Sequence, residues 1–115
     1  MSKVKLAISG CMGRMGQQLV KSSRIDKSFK LTALTENRLI KKNIAGIKPS
    51  LNHKNSFKNV DLIIDFTIPK CTFEILKIAS KMKKRVVIGT TGFSKKEELQ
   101  IKKFSKKIAI LKAGN

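Results

Sequence analysis

Apolar positions along the chain gather in five short runs separated by stretches of helical period. The runs are residues 4–9 (Val-Lys-Leu-Ala-Ile-Ser), 30–35 (Lys-Leu-Thr-Ala-Leu-Thr), 60–66 (Val-Asp-Leu-Ile-Ile-Asp-Phe), 86–89 (Val-Val-Ile-Gly) and 108–111 (Ile-Ala-Ile-Leu). Near-continuous apolar runs, rather than strict alternation, predict strands covered on both faces. Between them, residues 14–24 read as a helix with Met15, Leu19 and Val20 turned to the sheet. Residues 70–84 repeat the pattern with Phe73, Leu76, Ile78, Ala79 and Met82 as the apolar stripe. Ser94 and Glu97 form a capping-box pair, opening a helix to about Lys107 with Leu99, Ile101 and Phe104 on its inner face. Only 39–59 lacks a period; Gly46, Pro49, Ser50, Asn52, Asn55 and Ser56 make it a loop with at most a short strand or helical turn. Strand and helix therefore alternate, which predicts an α/β fold: a right-handed, Rossmann-like, doubly wound parallel sheet of about five strands.

A length of 115 residues allows one domain spanning 1–115, and 41% apolar content is ordinary for a globular chain. No run approaches the ~20 apolar residues of a membrane span, and the first residues pass straight into a charged strand, so a cytoplasmic protein is expected. Cys11 and Cys71 form neither a disulfide framework nor a metal pattern and are expected reduced and buried. His53, with no carboxylate or thiol beside it, is expected to be a solvated loop residue. No metal site is expected.

The net charge of +19, from 26 basic and 7 acidic residues, raises the question of nucleic acid. Lysine far outnumbers arginine, whereas base readout and bidentate phosphate contacts favour arginine. Trp and Tyr are absent, so no stacking platform is visible. The lysines fall on outer helix faces, and nucleic acid is not expected as the primary partner. Such a field still favours capture of a small anionic ligand.

The chemistry concentrates at the end of the first run. Gly10, Gly13 and Gly16 stand at a Gly-x-x-Gly-x-x-Gly spacing between a strand and a helix, with Glu36 twenty residues beyond the last glycine. Gly10 lets the chain leave the strand sharply. Gly13 lets backbone N–H groups approach a pyrophosphate, and Gly16 lets the helix sit against the strand with its N-terminus facing the phosphates. This is the arrangement of a dinucleotide site. Glu36 suits the hydroxyls of an adenosine ribose, although a solvated turn carboxylate would leave the same trace. Arg14 and Arg38 suit a 2′-phosphate, so either NADH or NADPH is expected as cofactor. Two further strand ends, 65–69 (Asp-Phe-Thr-Ile-Pro) and 89–93 (Gly-Thr-Thr-Gly-Phe), lie where ligands of open α/β sheets bind. Gly89, Thr90 and Thr91 there suit the nicotinamide-ribose, or make an ordinary strand-to-helix turn.

Taken together, 10–16 (Gly-Cys-Met-Gly-Arg-Met-Gly), 64–69 (Ile-Asp-Phe-Thr-Ile-Pro) and 87–93 (Val-Ile-Gly-Thr-Thr-Gly-Phe) closely resemble the dihydrodipicolinate reductase family, in its order and spacing. The resemblance covers the whole chain. It implies an NADH- or NADPH-dependent oxidoreductase of lysine and diaminopimelate biosynthesis that reduces a cyclic substrate. Gly10, Cys11, Met12, Gly13, Arg14 and Met15 would then hold the pyrophosphate, Glu36 the adenosine ribose, and Gly89, Thr90 and Thr91 the nicotinamide side. Ala113, Gly114 and Asn115 look like the family's Ala-x-Asn stretch near the cofactor.

Two local departures stand out. Asn37 occupies the place where many members carry an arginine, with Arg38 one position later, which weakens the NADPH expectation. The 39–59 region is shorter and less helical than usual. The family also continues into a second domain with a His-His-Arg-type catalytic motif, a lysine, and the contacts that make the enzyme homo-oligomeric. The resemblance therefore implies that this chain is a fragment, a truncated product or an isolated domain, binding cofactor without turnover. Another two-domain dehydrogenase, or a stand-alone nucleotide-binding or basic module, are the competing readings.

Overall fold

The structure, a computed structural model, describes residues 2–113. Its elements are β1 (Val4–Ser9), α1 (Arg14–Ile25), β2 (Phe29–Thr35), β3 (Leu62–Asp65), α2 (Pro69–Met82), β4 (Arg85–Ile88), α3 (Lys95–Phe104) and β5 (Ile110–Lys112). The strands form one sheet in the order β2-β1-β3-β4-β5, each neighbour pair parallel. From β1 the chain steps to β2 on one side, then returns to lay down β3, β4 and β5 on the other. Right-handed crossovers stepping in opposite directions place their helices on opposite faces.

The core follows that division. Leu6 and Ile8 of β1 pack with Val20 of α1 and Leu34 of β2 on one face. Ala7, Ile63, Val86 and Ile88 pack with Ile75, Leu76 and Ala79 of α2 and Ile101 of α3 on the other. Adjacent residues of one strand serve different faces, and covering both is why the runs are apolar without a period of two.

The structure corrects the predicted helix faces at two places. Met15 is 44% exposed and Leu99 60% exposed. In α1 the buried positions are Gly16, Val20 and Ser23, because glycine at 16 brings the helix closest there, leaving Met15 on the flank. In α3, Leu99 precedes the buried Ile101 by two positions, about 200° around the helix, and so faces outward. That helix also ends at Phe104, short of Lys107.

Residues 39–59 contain no helix or full strand, only the bridges Thr35 to Ser50 and Ile44 to Ile47. The loop nonetheless plugs the core: Ile40 and Phe57 are buried, Phe57 completely. His53 is exposed, its Nδ1 accepting the Asn55 N–H. Both cysteines are free thiols and buried. Among the described residues no helix is long and apolar enough to cross a membrane.

Candidate functional site

The sheet order reverses between β1 and β3, and the crevice beyond their carboxyl ends is where the glycine turn lies. Gly10 has φ +82°, and a side chain there would run into the Phe66 carbonyl oxygen. A side chain at Gly16 would overlap the Gly10 carbonyl oxygen, so turn and helix can approach only as glycines. At Gly13 the space is open; an added Cβ would come no nearer than 3.4 Å, to the Gly10 oxygen. Gly13 is the N-cap of α1, which has no side-chain cap and no acidic residue in its first turn. The start of this helix, with Arg14 and Met15 exposed upon it, thus faces the crevice with uncapped N–H groups. The turn is anchored from beneath, since the Thr35 carbonyl accepts the N–H groups of Gly10 (3.0 Å) and Cys11 (3.3 Å).

Glu36, directly after β2, reaches across to this turn. Its Oε2 accepts the Met12 N–H at 2.9 Å and its Oε1 the Asn37 N–H at 3.0 Å. The sequence places a carboxylate here; that it also fastens the turn is legible only in three dimensions. Burial, and then the nearby Glu36 charge, push the Cys11 thiol up to about 11, with Arg38 acting weakly the other way. Arg38 is exposed, as is Arg14. Cys71, buried nearby, is likewise shifted upward by burial, so neither thiol is a nucleophile at neutral pH.

The β3 and β4 ends meet around Asp65. This carboxylate is fully buried and accepts the hydroxyls of Thr67, Thr72 (2.6 Å) and Thr90 (3.0 Å). Burial raises its pKa, while the hydroxyl donors, Thr67 foremost, pull it down. Thr90 is buried, with its oxygen accepting the Thr67 N–H at 2.8 Å, whereas Thr91 is exposed. Gly89 has a reason the sequence did not reveal: the Phe66 ring occupies the space a side chain would need. Ala113 is exposed, its N–H donating to the Ile88 carbonyl at 2.8 Å. Gly114 and Asn115 lie outside the described residues.

Two adjoining hollows make the crevice. One of about 210 Å³ is bounded by Gly10, Gly13, Phe66 and Thr67, and one of about 440 Å³ by Leu51, Asn52, Lys70 and Glu74. Glu36, Asn37, Ile68 and Cys71 border both. Larger than either is a 650 Å³ groove between α3 and β5, away from this chemistry, so volume does not select the site. Of the residues expected at the site, Gly10, Gly13 and Glu36 line the crevice directly. Cys11, Met12, Arg14, Met15, Arg38, Gly89, Thr90, Thr91 and Ala113 border neither hollow. Sequence reasoning missed Asp65 and Thr72 as a pair; a carboxylate ending a buried strand with threonines at 67, 72 and 90 was the available signal.

The family described as "Dihydrodipicolinate reductase, N-terminus" matches residues 4–115. The chain is 70% identical over its full length to 4-hydroxy-tetrahydrodipicolinate reductase of Pelagibacter ubique. It is 43% identical, over 96% of its length, to the enzyme of that name from Buchnera aphidicola subsp. Schizaphis graminum. It spans about half the length of these relatives, 45% of each. A solved structure of dipicolinate-bound dihydrodipicolinate reductase from Paenisporosarcina sp. TG-14 superimposes with a TM-score of 0.80. That superposition is at 24% identity, over 99% of this chain and 48% of that one. The three motifs at neighbouring strand ends and the family match over residues 4–115 agree: the chain belongs to the family of dihydrodipicolinate reductase N-terminal domains.

Proposed function

We propose that this chain binds NADH or NADPH and forms the cofactor-holding part of a 4-hydroxy-tetrahydrodipicolinate reductase. The whole enzyme would pass hydride to the cyclic dihydrodipicolinate precursor in lysine and diaminopimelate biosynthesis. The observation carrying this reading is the start of α1, held between Gly10 and Gly16 with no side chain of its own completing it. A pyrophosphate supplies the missing acceptors and meets the positive end of the helix. The dinucleotide fits the residues present: Gly13 leaves open space, and Glu36 keeps unused lone pairs beside the turn.

When bound, the cofactor supplies the hydride. Residues 10–15 hold the pyrophosphate through backbone N–H groups. Glu36 accepts from the adenosine ribose while keeping its bond to the Met12 N–H. Arg14 and Arg38 are cations available to a 2′-phosphate, and Gly89, Thr90, Thr91 and Ala113 border the nicotinamide side. The general acid, the substrate clamp and the subunit contacts belong to the second domain of the whole enzyme, which works in the cytoplasm. Orientation of the reductant across the interdomain cleft is then this domain's contribution to rate.

Calorimetric titration of the chain with NADH and NADPH tests this. Saturable binding with Kd below about 1 mM is expected, without turnover of either cofactor. A folded chain giving no heat with either one at that concentration refutes the reading.

A further inference from the structure

Asp65 is a buried carboxylate that no proposed cofactor contact uses. It gathers hydroxyl donors from three segments: Thr67 in the turn after β3, Thr72 inside α2 and Thr90 in the turn after β4. No cation accompanies it; among the described residues the one salt bridge is Lys112–Glu98, between β5 and α3. A buried charge held only by hydrogen bonds is a poor way to build a core, and an apolar side chain would serve packing better. What the carboxylate adds is geometry. It links the turn that carries Phe66 to the turn at Gly89, against which the Phe66 ring lies, and Thr90 closes the link by accepting the Thr67 N–H. The second turn is also anchored by the Gly89 N–H, which donates to the Asp65 carbonyl at 2.7 Å, and by Phe93, whose ring meets Phe73 of α2 edge-on at 6.0 Å.

We propose that Asp65 is a positioning residue, which through Thr67, Thr72 and Thr90 fixes the turns at 66–68 and 89–92 so that they receive the nicotinamide-ribose half of a dinucleotide. This rests on the cofactor reading above and deepens it. The single hydroxyl proton of Thr90 is used on Asp65, so that turn meets its ligand through backbone groups and the exposed Thr91.

Thr72 separates positioning from contact: it is fully buried, borders neither hollow, and its hydroxyl donates to Asp65 at 2.6 Å, with a longer contact of 3.3 Å to the Ile68 carbonyl. Titrations of wild type, Thr72→Val and Thr90→Val with NADH and with ADP, which lacks the nicotinamide half, form the test. Thr72→Val is expected to weaken NADH about fivefold and Thr90→Val about tenfold or more, with ADP changed less than about twofold in both. Amide hydrogen exchange at Thr67 should quicken in both variants. Equal losses for NADH and ADP, or no loss with either, overturn the proposal. Should Thr72→Val fail to fold, Thr90→Ser replaces it: restored NADH affinity supports the tie, and affinity as weak as Thr90→Val overturns it. A wild type that binds neither ligand removes the cofactor reading and this proposal together, whereas unselective losses in a wild type that binds remove the proposal alone.

Discussion

Two helices of this domain begin in opposite ways. At α3 the chain finishes its own helix: the Ser94 hydroxyl accepts the Glu97 N–H at 3.1 Å, and Glu97 Oε1 accepts the Ser94 N–H at 2.9 Å. Glu97 and Glu98 place negative charge in its first turn. At α1 the cap is Gly13, no side chain accepts from the first turn, and no acid stands there. The same backbone groups are thus satisfied by side chains at the start of α3 and left without a side-chain partner at the start of α1. A helix start completed by its own sequence is structural; one bared by glycines beside a crevice is prepared for an anion.

Substitutions can blur or reverse that contrast. The largest effect is expected from Gly16→Ala, whose methyl group would overlap the Gly10 backbone. A loss of about 3 kcal/mol or more in unfolding free energy is expected by urea titration, with cofactor binding abolished. Gly13→Asp converts the α1 start into one resembling α3. Its extended backbone (φ −72°, ψ 170°) and open surroundings admit the side chain. A thermal melt should show a gain of about 0.5 kcal/mol from the new cap, while NADH affinity falls about tenfold or more through repulsion of the pyrophosphate. A variant both more stable and equally able to bind NADH would undo the anion assignment.

Glu36→Ala should weaken NADH by about tenfold and NADPH by less, because the 2′-phosphate removes one of the hydroxyls the carboxylate serves. Equal losses measured by calorimetry would return Glu36 to a purely structural role at Met12. Ser94→Ala should cost about 1 kcal/mol in denaturant unfolding with NADH affinity unchanged, the mirror image of Gly13→Asp. The smallest effect concerns Cys11. With its thiol raised to about 11, only about 0.1% is thiolate at pH 8. Iodoacetamide should therefore leave the native protein unlabelled by mass spectrometry and label it once unfolded.

The acidic residues add to the contrast. In a chain of charge +19, six of the seven carboxylates accept a defined hydrogen bond. Asp61 accepts the Lys5 N–H and Asp26 the Ser28 N–H at strand and helix ends. The acids are therefore spent on local geometry, and the lysines are left largely to solvent.

Much of the fold was legible beforehand because its signals are local. The apolar runs, the glycine spacing and the capping box each act within a few residues. Where the sequence reading erred, the deciding factor came from another segment. Met15 and Leu99 fit a helical stripe, but close approach at Gly16 and packing of Ile101 set which side turned inward. Residues 39–59 carry no period, and still Phe57 enters the core, since filling the space beside α2 and β4 is a requirement of volume that no local pattern records.

The glycine turn separates the two kinds of information. The sequence by itself determined that a strand would break at Gly10, that a helix would start near Gly13, and that a carboxylate would follow β2. These depend on backbone freedom and on spacing along one βαβ unit. Only the tertiary structure decided that Glu36 holds the Met12 N–H, that Gly89 makes room for Phe66, and that Asp65 joins threonines from three segments. Those residues lie up to 25 positions apart. Their meeting is set by the parallel register of β2, β1, β3 and β4, which brings strand ends together whatever lies between them.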